Sequence, residues 1–235
     1  MQKEMRRAII SGFLCLFALV AHTEGAGSER TSQQNRWIPL FNGKDLTGWV
    51  VMHEAKFTVQ NGELRLVGGM GWLRTKEKYQ DFELKLEWKA LGPRYDSGIF
   101  LRCGLEGKPW PKDAWQVNLR YNMLGGLVKG SWPMVPAESP ILPPGKWNTM
   151  RIRCQGTHVT LWINGKKNWT FDRLDPGAGY IGIQAEEKPF AFRKIQIRKL
   201  NPSPKALPHK TSKPHKEKKL NALSPSGKTQ AARGT

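Results

Sequence analysis

The chain of 235 residues has no heptad repeat, no Cys/His spacing typical of a zinc site and no glycine-rich loop followed by a Lys-Ser pair. These absences argue against a helical bundle, a zinc-dependent protein and a phosphate-binding-loop protein, respectively. Ten Trp, nine Phe and 24 Gly are present instead, and this composition favours one large β domain. We therefore expect no metal and no cofactor.

Cysteine is also scarce, with three residues in the whole chain. Cys15 falls in an N-terminal apolar run, which leaves Cys103 and Cys154 for the rest of the protein. Each of these two is in phase with the apolar residues of its strand and is expected to face the core. Two core-facing thiols either form a disulfide, as in proteins of oxidising compartments, or stay unpaired as small hydrophobic groups, and the sequence leaves both alternatives open.

The N-terminal segment has the features of a secretory signal peptide. Lys3, Arg6 and Arg7 precede an apolar run at residues 8–21, which is too short to span a bilayer comfortably. Residues 1–26 are therefore interpreted as a cleaved signal peptide. This predicts a protein that is secreted or located in the periplasm or cell envelope, without a membrane span after cleavage.

The net charge of +19 is spread unevenly along the chain. Residues 201–235 hold eight Lys or Arg against Glu217 alone, contain no aromatic residue and are rich in Pro and Ser. Such a composition predicts a disordered tail, which either is a solvated extension or contacts an anionic surface. The polar residues 27–36 are interpreted as a spacer, so that residues 37–200 form the folded domain.

The domain is dominated by alternating apolar and polar residues, the pattern of half-buried β-strands. From Phe82 to Ala90 every second residue is apolar, and after a Gly-Pro turn the alternation resumes as far as Cys103. Asn-Gly pairs at 61–62 and 164–165 indicate tight hairpins. About eleven to thirteen strands are expected, which predicts an all-β sandwich. This pattern places Trp88 in the core and Trp162 on an outward face. It also places Arg102 on the face opposite the core, where it is free to contact a ligand.

Several segments together resemble one known family. They are LFNGKDLTGW, YQDFELKLEWKA, DSGIFLR, PPGKWNTMRI, VTLWINGKK, GYIGIQA and FRKIQIRKL, in that order over residues 37–200. In these segments the chain is similar to the 3-keto-disaccharide hydrolase domain family. The resemblance implies a concanavalin A-like (jelly-roll) β-sandwich of two antiparallel sheets, in agreement with the strand pattern.

The chain departs from the family where acidic groups are expected on an inner strand. The family commonly has Tyr-Glu-x-Gln-x-x-Asp, and the matching run here begins at Trp115, with Gln116, Asn118 and Tyr121 in place of the Glu, Gln and Asp. Near the C-terminus the family often has Gln-Asp-His, where this chain has Gln184, Ala185 and Glu186. The binding scaffold is therefore retained better than the acid-base set.

The resemblance also implies a chemistry. In a 3-keto sugar the ketone acidifies the hydrogen at C2, so that one base and one group that polarises the ketone suffice for elimination of the aglycone. Arg102 is the candidate to polarise the ketone, and Asp96 or Glu186 is the candidate base. The candidate sugar-binding residues are Trp115, Gln116, Asn118, Tyr121 and Gln184.

Two functions follow from these observations. The first is an exported hydrolase or lyase that acts on 3-keto-glycosides, with a mono- or disaccharide as its substrate. The second is a non-catalytic, lectin-like carbohydrate-binding module. Gln116 and Tyr121, which replace acidic residues of the family, favour the second function, and the otherwise complete domain favours the first.

Overall fold

A computed structural model describes residues 36–202 of the chain. The predicted signal peptide, most of the spacer and nearly all of the basic tail lie outside the described residues. Within residues 36–202, no helix is long and apolar enough to cross a membrane.

The described residues form fifteen β-strands. They are β1 (Ile38–Pro39), β2 (Trp49–His53), β3 (Lys56–Gln60), β4 (Glu63–Gly68), β5 (Met70–Thr75), β6 (Phe82–Ala90), β7 (Gly98–Cys103), β8 (Trp115–Asn118), β9 (Leu127–Lys129), β10 (Trp132–Val135), β11 (Asn148–Gln155), β12 (His158–Ile163), β13 (Lys166–Phe171), β14 (Tyr180–Glu186) and β15 (Phe190–Lys199). The strand count exceeds the expected eleven to thirteen partly because β9 and β10 have only three and four residues. Strands of three and four residues are too short to produce a recognisable alternation.

The strands form two antiparallel sheets. Sheet A has the order β13-β12-β11-β6-β15-β4-β3, with β1 paired to β15, and sheet B has the order β10-β9-β8-β7-β14-β5-β2. The hairpins predicted at the Asn-Gly pairs join β3 to β4 and β12 to β13. The predicted fold class, an all-β concanavalin A-like sandwich, is confirmed.

The main core lies between the sheets and is built by the predicted alternation. On β6, Phe82, Leu84, Leu86 and Trp88 are at most 3% exposed, and they face residues of sheet B such as Ile99. Trp88 is thus in the core, as its phase predicted. Burial of so much aromatic and aliphatic surface is the main stabilising contribution to such a fold.

A β-bulge interrupts the alternation of β7. Tyr180 pairs with Cys103 and Gly182 pairs with Phe100, so β7 has one more residue than β14 over this interval. Arg102 lies there with a φ of 50°. Because of the extra residue, side chains at the end of the strand point to the opposite side of the sheet. Cys103 therefore belongs to a second apolar cluster, with Trp72 and Phe100, and not to the main core.

The two cysteines consequently lie in different parts of the sandwich. Cys154 belongs to the main core and Cys103 to the second cluster, and both are free and buried. Of the two alternatives left open by the sequence, the structure shows the unpaired one. The expectation that Cys103 faces the main core is wrong, because the bulge reverses its side of the sheet.

Candidate functional site

The outward face of sheet B brings the predicted polar residues together across three neighbouring strands. Gln116 lies on β8 opposite Phe100 of β7, while β7 pairs on its other side with β14, which carries Gln184. Gly98 of β7 leaves the space between these amides, because a Cβ atom there would overlap Gln116 Nε2. The glycine therefore lets two side chains from non-adjacent strands meet.

A chain of hydrogen bonds runs along this face. Gln116 Nε2 donates to Gln184 Oε1 at 2.5 Å, and Gln184 Nε2 donates to Glu186 Oε2 at 2.8 Å. Gln116 and Gln184 are each 6% exposed, so their amides are held in one arrangement by their surroundings. The consequence is that the Glu186 carboxylate is oriented by a fixed donor.

An ion pair lies beside this chain. Arg120 Nε is 3.3 Å from Asp96 Oδ2, and the backbone N–H of Arg120 donates to Asn118 Oδ1 at 2.7 Å. The next residue after Asp96, Ser97, donates its hydroxyl to the carbonyl of Gln184 at 2.8 Å. These contacts attach the segment after β8 to the segment before β7, and the segment before β7 to the strand that carries Gln184.

The two carboxyl groups are electrostatically coupled. Burial raises the pKa of Glu186, and the negative charge of Asp96 raises it further, against the lowering effect of Arg120 and Lys188. Burial also raises the pKa of Asp96, again opposed by Arg120 and Lys188. A raised pKa makes an ionised carboxylate a stronger base, and two coupled carboxyl groups beside a cation are typical of an acid-base site.

An aromatic cluster borders the site. Trp72 and Phe100 pack edge to face with ring centroids 5.8 Å apart, and Gly182 is required beneath Trp72, since a Cβ there would lie 2.6 Å from the indole. Trp110, from the loop between β7 and β8, packs on this cluster and donates its Nε1–H to the carbonyl of Ala185 at 3.1 Å. The loop thereby covers the part of the sheet next to the polar residues.

Arg102 is not part of this face, and the expectation that it is free to meet a ligand is wrong. Its side chain is 1% exposed, and its Nη2 atom lies 3.0 Å from Oδ1 of Asp81. It also donates to the backbone carbonyls of Gln80, Gly156 and Asp175. The bulge turns the side chain away from the outward face, and its donors are occupied by structural partners.

Trp115 and Tyr121, both predicted to bind a sugar, pack on the main core. Trp115 is 4% exposed in the main core, where its ring tilts against Phe171 at 5.2 Å and its Nε1–H donates to Asp175 at 2.8 Å. Tyr121 packs against the same core, with its ring 6.4 Å from that of Tyr95. The expectation for Trp115 is wrong because its ring serves core packing, whereas Tyr121 is only partly buried and its contact with a sugar stays a prediction.

Arg120 is the main site residue that the selection from the sequence missed. It alternates with Gln116 and Asn118 beyond the end of β8, so its outward position was already visible in the period of two. Trp72 was missed for a different reason, because a fully buried tryptophan in an apolar strand resembles a core residue. Its place in a second cluster depends on the covering loop.

The polar groups of the site are carboxyl, amide and guanidinium groups. Within residues 36–202, no group of three or more His, Cys, Asp or Glu side chains is arranged to hold a metal ion. The carboxyl groups can accept and donate protons, and the amides and the guanidinium can form hydrogen bonds around a polar ligand.

Fold and site together describe a concanavalin A-like β-sandwich with a polar, carboxylate-bearing outward face. The model of the 3-keto-α-glucoside-1,2-lyase-like domain matches residues 36–198, which is more than half of the chain. The chain belongs to this family, as its segments had indicated.

Solved structures agree with the fold. A predicted glycosyl hydrolase from Parabacteroides distasonis is 26% identical, with a TM-score of 0.59 over 71% of this chain and 100% of that one. A second one from the same organism is 22% identical, with a TM-score of 0.58 over 74% and 97% of the two chains. A carbohydrate-binding module from Bacillus subtilis is 12% identical, with a TM-score of 0.53 over 64% and 95%. No protein of curated function matches the chain.

Proposed function

We propose that the protein acts on carbohydrate, and that it cleaves 3-keto-glycosides at the outward face of sheet B with Glu186 as the base. The observation that carries this proposal is the chain Gln116–Gln184–Glu186 beside Asp96 and Arg120, in which both carboxyl groups have raised pKa values. Family membership and the carbohydrate-related descriptions of the similar structures support it.

The reaction needs one proton acceptor and one cation. Glu186 removes the proton from C2 of the sugar, and the electron pair of that C–H bond forms an enolate whose charge lies on the C3 oxygen. The enolate then re-forms the C3 ketone, a C1=C2 double bond forms as the C1–O bond breaks, and the departing oxygen takes the proton from Glu186. Water adds to the resulting double bond, so that the net change is hydrolysis.

The roles of the neighbours follow from their positions. Arg120 is 48% exposed through its side chain, so its guanidinium is accessible to a ligand and stabilises the enolate oxygen in place of Arg102. Asp96 positions Arg120 through their ion pair and raises the pKa of Glu186. Gln116 and Gln184 hold Glu186 in a single orientation.

The test is the release of 4-nitrophenol from a 4-nitrophenyl 3-keto-α-glucoside. Glu186→Gln is expected to lower the rate by about 100-fold or more, as for loss of a general base, with the melting temperature nearly unchanged. The control is Asp172→Asn, at a carboxylate that is 71% exposed and away from Glu186 in the chain, which should leave the rate unchanged. In deuterated water, the wild-type protein should also introduce deuterium at C2. A wild-type protein that releases no product and exchanges no C2 hydrogen would overturn the enzymatic proposal.

A binding module is the second candidate function. It is favoured by one observation, that Gln116, a neutral amide hydrogen-bonded to Gln184, lies where the family commonly carries a glutamate. In that case calorimetric titration should detect binding of a 3-keto-glucoside or its parent glucoside without turnover. Gln184→Ala should then weaken binding, whereas Asp172→Asn should not.

A further inference from the structure

A groove of about 420 Å³ lies on the outward face of sheet A, on the other side of the sandwich from the candidate active site. Its lining includes Trp162, Arg151, Lys85 and Gln196, which are lateral neighbours on the consecutive strands β12, β11, β6 and β15. Adjacent strands are about 4.8 Å apart. The four side chains therefore form a straight row across the sheet.

The groove carries uncompensated positive charge. Its carboxylate, Glu87, already accepts hydrogen bonds from Arg193 at 2.6 Å and Lys194 at 2.7 Å. Within residues 36–202, Lys85 and Arg151 form no ion pair; they lie instead over tryptophan rings, Lys85 Nζ 3.9 Å from the centroid of Trp37 and Arg151 Cζ 3.8 Å from that of Trp162. Two cations without a carboxylate partner favour an anionic ligand.

Trp162 gives the groove an apolar wall. Its phase predicted an outward position, and the structure shows it half-buried in the lining, fixed by Arg151. Aromatic surface beside a few polar groups is a common composition of ligand sites, whose volumes are roughly 300–1,000 Å³. The groove thus combines a surface for a sugar ring with groups for a negative charge.

We propose that this groove is a second binding site whose ligand is an acidic glycan. A sugar ring packs on Trp162, and carboxylate or sulfate groups of the glycan pair with Lys85, Arg151 and Lys194. The separation of neighbouring strands is close to the length of one sugar residue, so the row can contact consecutive residues of an extended glycan. This proposal does not depend on the activity proposed for sheet B.

Single-stranded nucleic acid fits the groove less well. Proteins that bind it stack successive bases on several aromatic side chains along a basic channel. Trp162 is the single aromatic residue in the lining of this groove among the residues that the structure describes. The affinity for single-stranded nucleic acid is therefore measured as the alternative to the affinity for an acidic glycan.

The experiment measures affinity of the full-length chain by calorimetry and by retardation in gels that contain the polymer. Dextran sulfate and polygalacturonate provide sulfate and carboxylate, neutral dextran is the uncharged reference, and oligo-dT is the nucleic acid. We expect binding to one or both acidic glycans, weakened by salt because surface charges are screened. Binding to one polymer alone identifies which anionic group is recognised.

The variants distinguish binding in the groove from binding that depends only on the overall positive charge of the protein. Lys85→Gln with Arg151→Gln should weaken glycan binding about tenfold or more, since hydrogen bonds to charged groups are the stronger ones, and Trp162→Ala should weaken it roughly fivefold. Lys194→Gln, at a side chain that is 65% exposed, provides a change that the fold tolerates. The matched control Lys76→Gln with Lys112→Gln removes two exposed charges elsewhere and keeps the basic tail.

Specific outcomes would overturn the proposal. Equal losses in the groove and control variants would show that charge alone is responsible, and unchanged affinity in all groove variants would place binding elsewhere. Tighter binding of oligo-dT, lost in the same groove variants, would assign the groove to nucleic acid. Activity toward the 3-keto-glucoside should be unaffected by Lys194→Gln, so failure of one proposal is distinguishable from failure of the other.

Discussion

On sheet B the outward face combines buried amides with two carboxyl groups of raised pKa, whereas on sheet A it combines cations with tryptophan rings. On both sheets, side chains alternate between inward and outward along each strand, and the inward residues of both sheets form one core. The core constrains only every second residue of a strand. The remaining residues are free to differ, and here they include coupled carboxyl groups on one side of the sandwich and cations without a carboxylate partner on the other.

The largest expected effect concerns the buried ion pair that joins the two sheets. Arg102, on β7 of sheet B, pairs with Asp81 and donates to Gly156 in the β11–β12 turn of sheet A. Arg102→Ala should lower the free energy of unfolding by about 3–5 kcal/mol, because it leaves a carboxylate buried without its cation. Denaturant unfolding measures this.

The control for that variant is Arg120→Ala, which removes a half-exposed arginine from the outward face. It should cost about 1 kcal/mol or less. A larger loss for Arg120→Ala than for Arg102→Ala would show that the assignment of the two arginines to structure and site is reversed.

The second effect concerns the glycine under the amides. In Gly98→Ala the new methyl group would meet Gln116 Nε2, which should break the hydrogen-bond chain to Glu186 and destabilise the fold by about 1–3 kcal/mol, as overpacking does. Binding or turnover at sheet B should fall, while binding at the sheet A groove should not.

Gly92→Ala is the matched control, because no atom lies within 4 Å of its Cβ position. It should leave stability and both binding sites unchanged. If Gly98→Ala also leaves the sheet B function unchanged, then the orientation of Glu186 does not depend on the two amides.

The third effect concerns the coupling between the carboxyl groups. The charge of Asp96 raises the pKa of Glu186, so Asp96→Asn should lower it. A base must be ionised to act, and the acid limb of the pH–rate profile should therefore move to lower pH. Carbon NMR of the Glu186 carboxyl group checks the same shift without turnover. Asp172→Asn, at an exposed carboxylate, should change neither the acid limb nor the pKa of Glu186. A higher pKa of Glu186 in Asp96→Asn would contradict the coupling.

The smallest expected effect is on the pH dependence of stability. Glu87 on sheet A and Glu186 on sheet B should contribute to it with opposite signs. Burial alone would raise the pKa of Glu87, but hydrogen bonds from Lys194 and Arg193 lower it below its ordinary value. Glu87 therefore stabilises the fold above its unfolded pKa, and this is lost as pH falls through the folded value. Glu186, with a raised pKa, binds its proton more readily in the folded state and contributes stability that falls as pH rises.

Glu87→Gln should accordingly cost about 1 kcal/mol or less at neutral pH and reduce the loss of stability in acid. Glu186→Gln should increase that loss, because it removes a contribution of opposite sign. Thermal unfolding from pH 3 to pH 7 measures both slopes. Parallel changes in the two variants would contradict the contrast between the faces.

The sequence predicted most of the architecture because alternation is a direct consequence of strand geometry. It assigned Trp88 to the core and Trp162 to an outward face, and it selected Gln116 and Asn118 as binding residues. It failed at Arg102 because a bulge adds one residue without changing the local composition, and every later residue of that strand then changes side.

The error at Trp115 has another cause. Trp115 is in phase with Val117 and by alternation belongs to the core, where the structure has it. Trp115 was selected as a sugar-binding residue because aromatic rings stack on sugars, and this criterion was wrong for a residue whose phase places it in the core. The contact between Asp96 and Arg120 and the electrostatic coupling of Asp96 to Glu186 depend on strand order and on a covering loop, which no single segment of sequence contains.

The bulge at Arg102 also has a consequence for redox chemistry. By turning Cys103 to the outward side of sheet B, it separates this thiol from Cys154 in the core. Burial raises the pKa of each thiol to about 12, so neither is appreciably ionised at neutral pH, and thiolates are the reactive form. The described domain therefore reaches its fold without a disulfide, and its stability should be the same under oxidising and reducing conditions.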